Sequence, residues 1–209
     1  MRSINEERVN ASYLSFASIP SSVIATGDLG TALRGAPMVV FAAPSHVARK
    51  LFTAMSSLLD EAAIIVSVSK GIEIESGKRI SEIAKDVLGS SYSFVCLSGP
   101  SFAKEVVAGF PTAIVAASKD SAAARTVQND FSFENLRIYT NTDVIGTELG
   151  GSVKNVMAIA AGMTTGLGFG SNSVAALITR GLAEITRLAR REGAQIETLM
   201  GLAGLEIWC

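Results

Sequence analysis

Two lysines in glycine-containing segments carry the chemistry that this sequence could perform. Lys154 stands in ELGGSVKN (148–155), and Lys70 stands in SVSKGIE (67–73), directly after an apolar run. Burial disfavours a charged ammonium and lowers the pKa of a lysine. A partly buried lysine can therefore donate and accept protons near neutral pH. A lone lysine at the start of a helix is more often a solvated side chain. The second lysine favours a ligand site.

The surroundings of Lys154 predict a groove in a helix. On a helix, residues three, four and seven positions away share the face of Lys154, and all of them are small: Gly150, Gly151, Ala158 and Ala161. Small side chains leave room for a ligand beside the ammonium. Three apolar neighbours are expected to exclude water from it: Val153, Val156 and Met157.

A third segment, LSGPSFAKE (97–105), follows another apolar run. Gly99 would let backbone approach a ligand, and Pro100–Ser101 can begin a helix whose free N–H groups favour an anion. An ordinary turn is the alternative interpretation, because Ser-Gly-Pro is common in loops.

Short apolar runs alternate with helical patterns up to about residue 141. The runs predict strands at 22–26, 38–44, 62–71, 93–100, 111–118 and 136–141, and helices are predicted at 46–59, 76–88 and 120–129. Near-continuous apolar strands separated by helices are typical of a mainly parallel, doubly wound α/β sheet. Ligands of such sheets bind outside the carboxyl ends of the strands, where Lys70 and Gly99 are expected.

The pattern changes to helices alone from Thr142 onwards. Thr142 can cap a helix that continues to about Ala161, and a second helix is predicted at 174–194. We therefore divide the chain into an α/β portion, 1–141, and a helical portion, 142–209.

Composition narrows the class of protein. The net charge of −1 over 209 residues provides no basic surplus for nucleic acid or anionic membranes. No apolar run is long enough to span a bilayer, no metal-ligand pattern is present, and the two cysteines, Cys96 and Cys209, form no disulfide framework. A reduced, cytoplasmic setting is expected.

Six segments in order resemble the bacterial NAD(P)-dependent glycerol-3-phosphate dehydrogenases. They are AAPSHVAR, SVSKGIE, LSGPSFAKEVVAGFPTAIV, ELGGSVKNVMAIAAGM, GLGFGSNSVAALITRGLAEITRLA and GLAGL. The resemblance implies an incomplete Rossmann-like sheet followed by a partial all-helical domain. It also implies interconversion of sn-glycerol 3-phosphate and dihydroxyacetone phosphate with NAD or NADP, in glycerophospholipid synthesis, and a possible homodimer.

The resemblance also implies residue roles. Lys154 and Lys70 match the two catalytic lysines, with Lys154 as the proton donor and acceptor and Lys70 beside the substrate oxygen. The substrate-contact residues would be Lys70, Gly99, Ser101, Lys154 and Asn155, and the cofactor-contact residues would be Lys70, Ala103 and Pro44. His46 is interpreted as a loop residue near the cofactor. Arg180 is expected either to pair with Glu184 or to face the interface between the two portions.

Two departures from the family pattern predict a chain truncated at both ends. The sequence has no G-x-G-x-x-G/A turn, and GLAGL runs into EIWC (206–209) instead of the family's later G-D-L and S-R-N blocks. Glu206 stands next to the place of an expected aspartate, but we do not transfer its role. Little activity of the chain alone is therefore expected. The alternatives are a non-catalytic remnant that needs a partner chain and a related 3-hydroxyacid-type dehydrogenase.

Overall fold

A computed structural model describes residues 1–204 of the chain. The strands are β1 (Val9–Asn10), β2 (Leu14–Ser18), β3 (Met38–Phe41), β4 (Ile64–Ser67), β5 (Phe94–Ser98), β6 (Thr112–Ala117) and β7 (Leu136–Asn141). The helices are α1 (Arg2–Asn5), α2 (Leu29–Leu33), α3 (Ala48–Met55), α4 (Ile80–Leu88), α5 (Ala103–Val107), α6 (Ser121–Phe131), α7 (Val144–Gly166), α8 (Ser171–Arg191) and α9 (Ile196–Leu199). A 3-10 turn, Ser45–Val47, precedes α3.

Five strands form one sheet in the order β3-β4-β5-β6-β7. All neighbouring pairs are parallel except β5 and β6, which run antiparallel. The predicted mainly parallel α/β sheet is therefore confirmed. The strand predicted at 22–26 is wrong, since that segment has no strand and a separate hairpin, β1–β2, lies before it.

The alternation of side chains along the strands supplies one core to each face of the sheet. Ile65 and Phe41 point to the face covered by α3 and α4, where the Phe41 and Phe52 rings stack at 4.5 Å. Val66 and Val95 point to the opposite face, which α6 covers. Both cores consist mainly of aliphatic side chains, so the sheet is a rigid platform for the loops at its edges.

The helices after β7 pack onto the sheet through the start of α7. Val144 lies against Cys96, Val115 and Ala117, over β5 and β6. Leu149 forms a smaller core with side chains of α8 and α9. This contact fixes the first turns of α7 to the face of the sheet that also carries α4.

Local sequence explains where α7 begins. Asp143 caps α7, because its carboxylate accepts the Gly146 N–H at 2.9 Å, so the prediction that Thr142 is the cap is wrong. The same carboxylate accepts the Gln195 N–H at 2.8 Å, which ties the start of α7 to the start of α9. Helix α8 begins and ends three residues earlier than predicted.

Candidate active site

Three loops meet at the carboxyl edge of the parallel strands β3, β4 and β5. Pro44 follows β3, Lys70 follows β4 and Gly99 follows β5. The Ser69 hydroxyl donates to the Ala43 carbonyl, which joins the first two loops. The edge predicted for a ligand therefore brings together segments that are distant in the sequence.

Gly71 allows the first two loops to touch. Its φ of +126° lies in the region that favours glycine, and a Cβ at this position would lie 2.7 Å from Ser45 Oγ. A side chain here would push the Pro44–Ser45 turn away from Lys70.

Lys70 lies beside α7. Its Cγ and Cδ are each 3.8 Å from the point where a Cβ on Gly151 would stand. The Gly71 N–H also donates to Ser152 Oγ at 3.0 Å. Lys154 lies three residues beyond Gly151, about one turn further along the same helix. The structure thus brings the Lys70 side chain to the turn of α7 that leads into Lys154.

The structure around Lys154 differs in two respects from the predicted groove. A Cβ on Gly150 would lie 2.5 Å from the Ala203 carbonyl oxygen, so this glycine admits backbone and not a ligand. Lys154 is half-buried, but Val156 is 67% exposed and Asn155 is also exposed. The expectation that Val156 keeps the site dry is wrong, because that side chain lies on the outer face of α7.

The close approach of β6 requires a glycine at position 99. Its φ is +147°, and a Cβ would lie 2.8 Å from the Ile114 Cα. Ser101 is exposed and its hydroxyl donates to the Gly99 carbonyl at 3.3 Å. The predicted helix begins at Ala103, later than Pro100–Ser101, and has only five residues. The structure therefore gives no support to an anion site at the start of that helix.

Ser98 is a site residue that the sequence did not indicate. It is 6% exposed, and its Oγ is a buried side-chain polar atom with no hydrogen-bond partner in the described part of the chain. That oxygen lies 2.9 Å from the Cβ position of Gly151, next to the Lys70 stem. A buried hydroxyl without a hydrogen-bond partner costs free energy. Packing of the fold therefore does not by itself explain a serine at position 98.

Glu148 is a second residue that the sequence analysis missed. Its buried carboxylate accepts from Arg79 Nη1 at 2.9 Å, from the Ser81 N–H at 2.8 Å and from the Ser81 hydroxyl. Burial raises the pKa of Glu148, while the hydrogen bonds from Ser81 and the charge of Arg79 oppose that shift. Its only sequence signal was an acidic residue in the first turns of an otherwise apolar helix.

Other polar groups lie apart from this edge or have structural partners. Burial raises the pKa of the Cys96 thiol well above its ordinary value, and the Glu148 charge adds to the rise, so this cysteine is an inert core residue. His46 is exposed on its 3-10 turn. Arg180 pairs with Glu184 at 3.0 Å, which confirms the predicted pairing.

Residues 1–204 contain no cluster of three or more His, Cys, Asp or Glu side chains arranged to hold a metal ion. Within the same residues, no helix has the length and apolar character required to cross a bilayer. Glu206 and Cys209 lie outside the described residues.

Family models match most of the chain in two consecutive parts. The N-terminal model of NAD-dependent glycerol-3-phosphate dehydrogenase matches residues 1–124, and the C-terminal model matches residues 143–206. The chain belongs to the NAD-dependent glycerol-3-phosphate dehydrogenase family.

Individual members of the glycerol-3-phosphate dehydrogenase family agree with this assignment. The chain is 52% identical over 205 residues to the glycerol-3-phosphate dehydrogenase [NAD(P)+] of Koribacter versatilis, and 48% identical over 202 residues to that of Clostridium tetani. These alignments cover 97% of this chain but 61% and 58% of those relatives. The crystal structure of glycerol-3-phosphate dehydrogenase from Coxiella burnetii matches with a TM-score of 0.92 at 39% identity, covering 98% of this chain and 62% of that one.

Proposed function

We propose that this chain carries the two-lysine part of a glycerol-3-phosphate dehydrogenase active site, which interconverts sn-glycerol 3-phosphate and dihydroxyacetone phosphate. One observation carries the proposal: the Lys70 side chain lies against Gly151, one turn before Lys154. Two cationic residues from distant segments at the carboxyl edge of a sheet suit a small anionic substrate.

The chemistry assigns different tasks to the two lysines. Reduction of the ketone leaves negative charge on its oxygen, which Lys154 would protonate; in the reverse direction it would take the hydroxyl proton. Such proton transfer typically contributes about 10²–10⁴-fold in rate. Lys70 would hold the same oxygen in place, and its contact with α7 orients it toward that helix.

Substrate and cofactor contacts are proposed for residues around the lysines. Gly99, Ser101 and Asn155 would contact the substrate, and all three lie on segments that border this edge. Lys70, Ala103 and Pro44 would contact the nicotinamide cofactor. When bound, NAD or NADP supplies or accepts the hydride. The residues present fit the nicotinamide end, since they follow three adjacent strands, whereas the sequence has no glycine-rich turn for the pyrophosphate.

The share of the relatives' length that this chain spans bears on its expected rate of turnover. The chain spans about three-fifths of the length of the relatives that it matches. We propose that it binds substrate weakly and turns over little alone, because phosphate anchoring and pyrophosphate binding each contribute to transition-state binding. We also propose a cytoplasmic location. The net charge of −1 supports the further proposal that the chain has no nucleic-acid partner.

Titration of the purified chain with dihydroxyacetone phosphate, followed by amide NMR, tests this function. Lys154→Ala and Lys70→Ala should each weaken binding by about 10- to 100-fold, the effect of losing a hydrogen bond to a charged group. Lys119→Ala is the matched control, because this exposed lysine follows β6 at the opposite edge of the sheet. Unchanged binding by both site variants contradicts the proposal. NADPH consumption with dihydroxyacetone phosphate should be near background, and robust turnover contradicts the low-activity expectation.

A non-catalytic chain that requires a partner is the second candidate. Strand β3 is an edge strand of the five-stranded sheet, and its residue Val40 is 46% exposed. An apolar groove of about 430 Å³ runs along β3, lined by side chains of α2 and α3. An unpaired apolar edge favours association with another strand. Sedimentation of the purified chain distinguishes the candidates, since a stable monomer that binds substrate contradicts this one.

A further inference from the structure

We propose that Glu148 and Ser152 are positioning residues that hold the α7 turn before Lys154 against the loop of Lys70. This inference rests on the proposed function, because it assigns to these two residues the relative placement of the two lysines. Neither side chain is expected to touch substrate. Both act through the segments that they join.

Glu148 joins α7 to the start of α4. Its carboxylate accepts three hydrogen bonds from Arg79 and Ser81, residues that precede it by 69 and 67 positions. The Glu148 side chain is 4% exposed and that of Arg79 is 11% exposed. Each therefore depends on the other, because removing one partner of a buried pair leaves the other charge uncompensated.

Ser152 joins α7 to the loop of Lys70. Its Oγ accepts the Gly71 N–H at 3.0 Å and donates to the Glu148 carbonyl at 2.7 Å. Gly71 is the residue directly after Lys70, and Ser152 lies two residues before Lys154. A single hydroxyl thus connects the backbone beside one lysine to the helix that carries the other.

The two ties act on the same turn of α7. Glu148 and Ser152 are four residues apart, so they stand one above the other on one face of the helix. Glu148 fixes this face to the beginning of α4, and Ser152 fixes it to the end of the β4 loop. Together the two ties oppose sliding of α7 along its axis and its rotation relative to Lys70. Such positioning matters because small displacements of reacting groups cost large factors in rate and binding.

Three variants and one control test this proposal. Glu148→Gln keeps the size of the side chain and removes its charge, and Ser152→Ala removes the hydroxyl tie. Ser152→Thr keeps a hydroxyl and is the conservative rescue. Glu184→Gln removes an exposed carboxylate of α8 that pairs with Arg180, so it is the matched charge control.

The first measurement needs no ligand. A short amine-reactive cross-linker should join Lys70 and Lys154 in the unmodified chain, as detected by mass spectrometry. We expect Ser152→Ala and Glu148→Gln to lower this yield several-fold at unchanged far-UV circular dichroism, and Ser152→Thr and Glu184→Gln to retain it. Amide exchange of Gly71 should be about tenfold faster in Ser152→Ala, which loses the acceptor of that N–H.

The second measurement is binding of dihydroxyacetone phosphate, which should weaken about tenfold in Ser152→Ala and recover in Ser152→Thr. Unchanged cross-linking and binding in folded Ser152→Ala and Glu148→Gln overturn the positioning role. If Glu148→Gln does not fold, Ser152→Ala decides, because it removes no buried charge. Failure of the proposed function gives a different result: Lys70→Ala and Lys154→Ala bind as the unmodified chain does, while the cross-link still depends on Ser152.

Discussion

The two ends of helix α7 have similar composition and opposite environments. Of its first eight residues, 144–151, seven are buried, and Ile145 is half-buried. Later positions at helical spacing are exposed, with Val156 at 67%, Ile159 at 64% and Met163 at 63%. One continuous helix therefore passes from a core into an outer surface within two turns, and Lys154 lies at the change.

The difference arises from what lies against each end. The first turns contact β5 and β6 as well as α8 and α9, whereas the turn after Lys154 packs against α8, where the Met157 side chain occupies the space above Gly181. An apolar run indicates burial only if a partner covers it. Lys154, at this boundary, is half-buried.

The largest expected effect comes from shortening one aliphatic side chain in each end. Leu149→Ala should lower the free energy of unfolding by about 2–5 kcal/mol, because Leu149 is 4% exposed and its removal leaves a cavity in the core with α8 and α9. Ile159→Ala should change it by no more than about 0.5 kcal/mol. Urea unfolding of both variants measures the difference. Equal losses would show that the outer face of α7 is covered in solution and would remove the contrast.

The central strands could be predicted from the sequence because a continuous apolar run bounded by turn residues is a local signal. Five of the six predicted strands are present, since β4, β5 and β6 are continuous apolar runs buried on both faces. The failed segment, 22–26, is short and mostly exposed. A five-residue apolar run does not specify a neighbouring strand with which to pair.

The lysines of the site could be found from their segments, but their supports could not. Lys70 and Lys154 stand in recognisable glycine-containing blocks. The surroundings of Ser98 and Glu148 depend on contacts over dozens of residues, with Gly151 for Ser98 and with Arg79 and Ser81 for Glu148. No spacing rule links positions 79 and 148, because only the folded sheet brings α4 beside α7.

A smaller effect is expected from adding a methyl group to one glycine in each end of α7. Gly150→Ala should lower the free energy of unfolding by about 1–3 kcal/mol, because the Cβ would lie 2.5 Å from the Ala203 carbonyl oxygen and backbone cannot yield cheaply. Gly162→Ala should raise it by about 0.5–1 kcal/mol, since nothing in residues 1–204 beyond the neighbouring backbone of α7 lies within 4 Å of the added Cβ, and alanine favours helix. The same substitution in one helix should thus have opposite signs. Two changes of the same sign in urea unfolding would contradict the comparison.

The smallest effect concerns pH and compares Glu148 with Glu73, a carboxylate outside α7. Glu73 accepts from Arg49 at 2.8 Å, and this hydrogen bond lowers the pKa of Glu73, with Ser76 contributing. Burial instead raises the pKa of Glu148 above the ordinary 4.5. The two groups should therefore change stability with pH in opposite directions.

The sign follows from which state binds the proton more tightly. Folded Glu148 holds its proton more tightly than the unfolded chain, so its contribution is fully present below pH 4.5 and is lost as the pH rises through the folded pKa. Folded Glu73 releases its proton more easily, so its contribution is present above pH 4.5 and is lost as the pH falls through the folded pKa. Melting temperatures from about pH 3 to pH 8 for the chain, Glu148→Gln and Glu73→Gln measure both differences. As the pH rises, the chain should lose stability relative to Glu148→Gln and gain it relative to Glu73→Gln. If both stability differences change with pH in the same direction, the charge of Arg79 outweighs burial in setting the pKa of Glu148. The buried end of α7 would then hold this carboxylate as an ordinary ion pair.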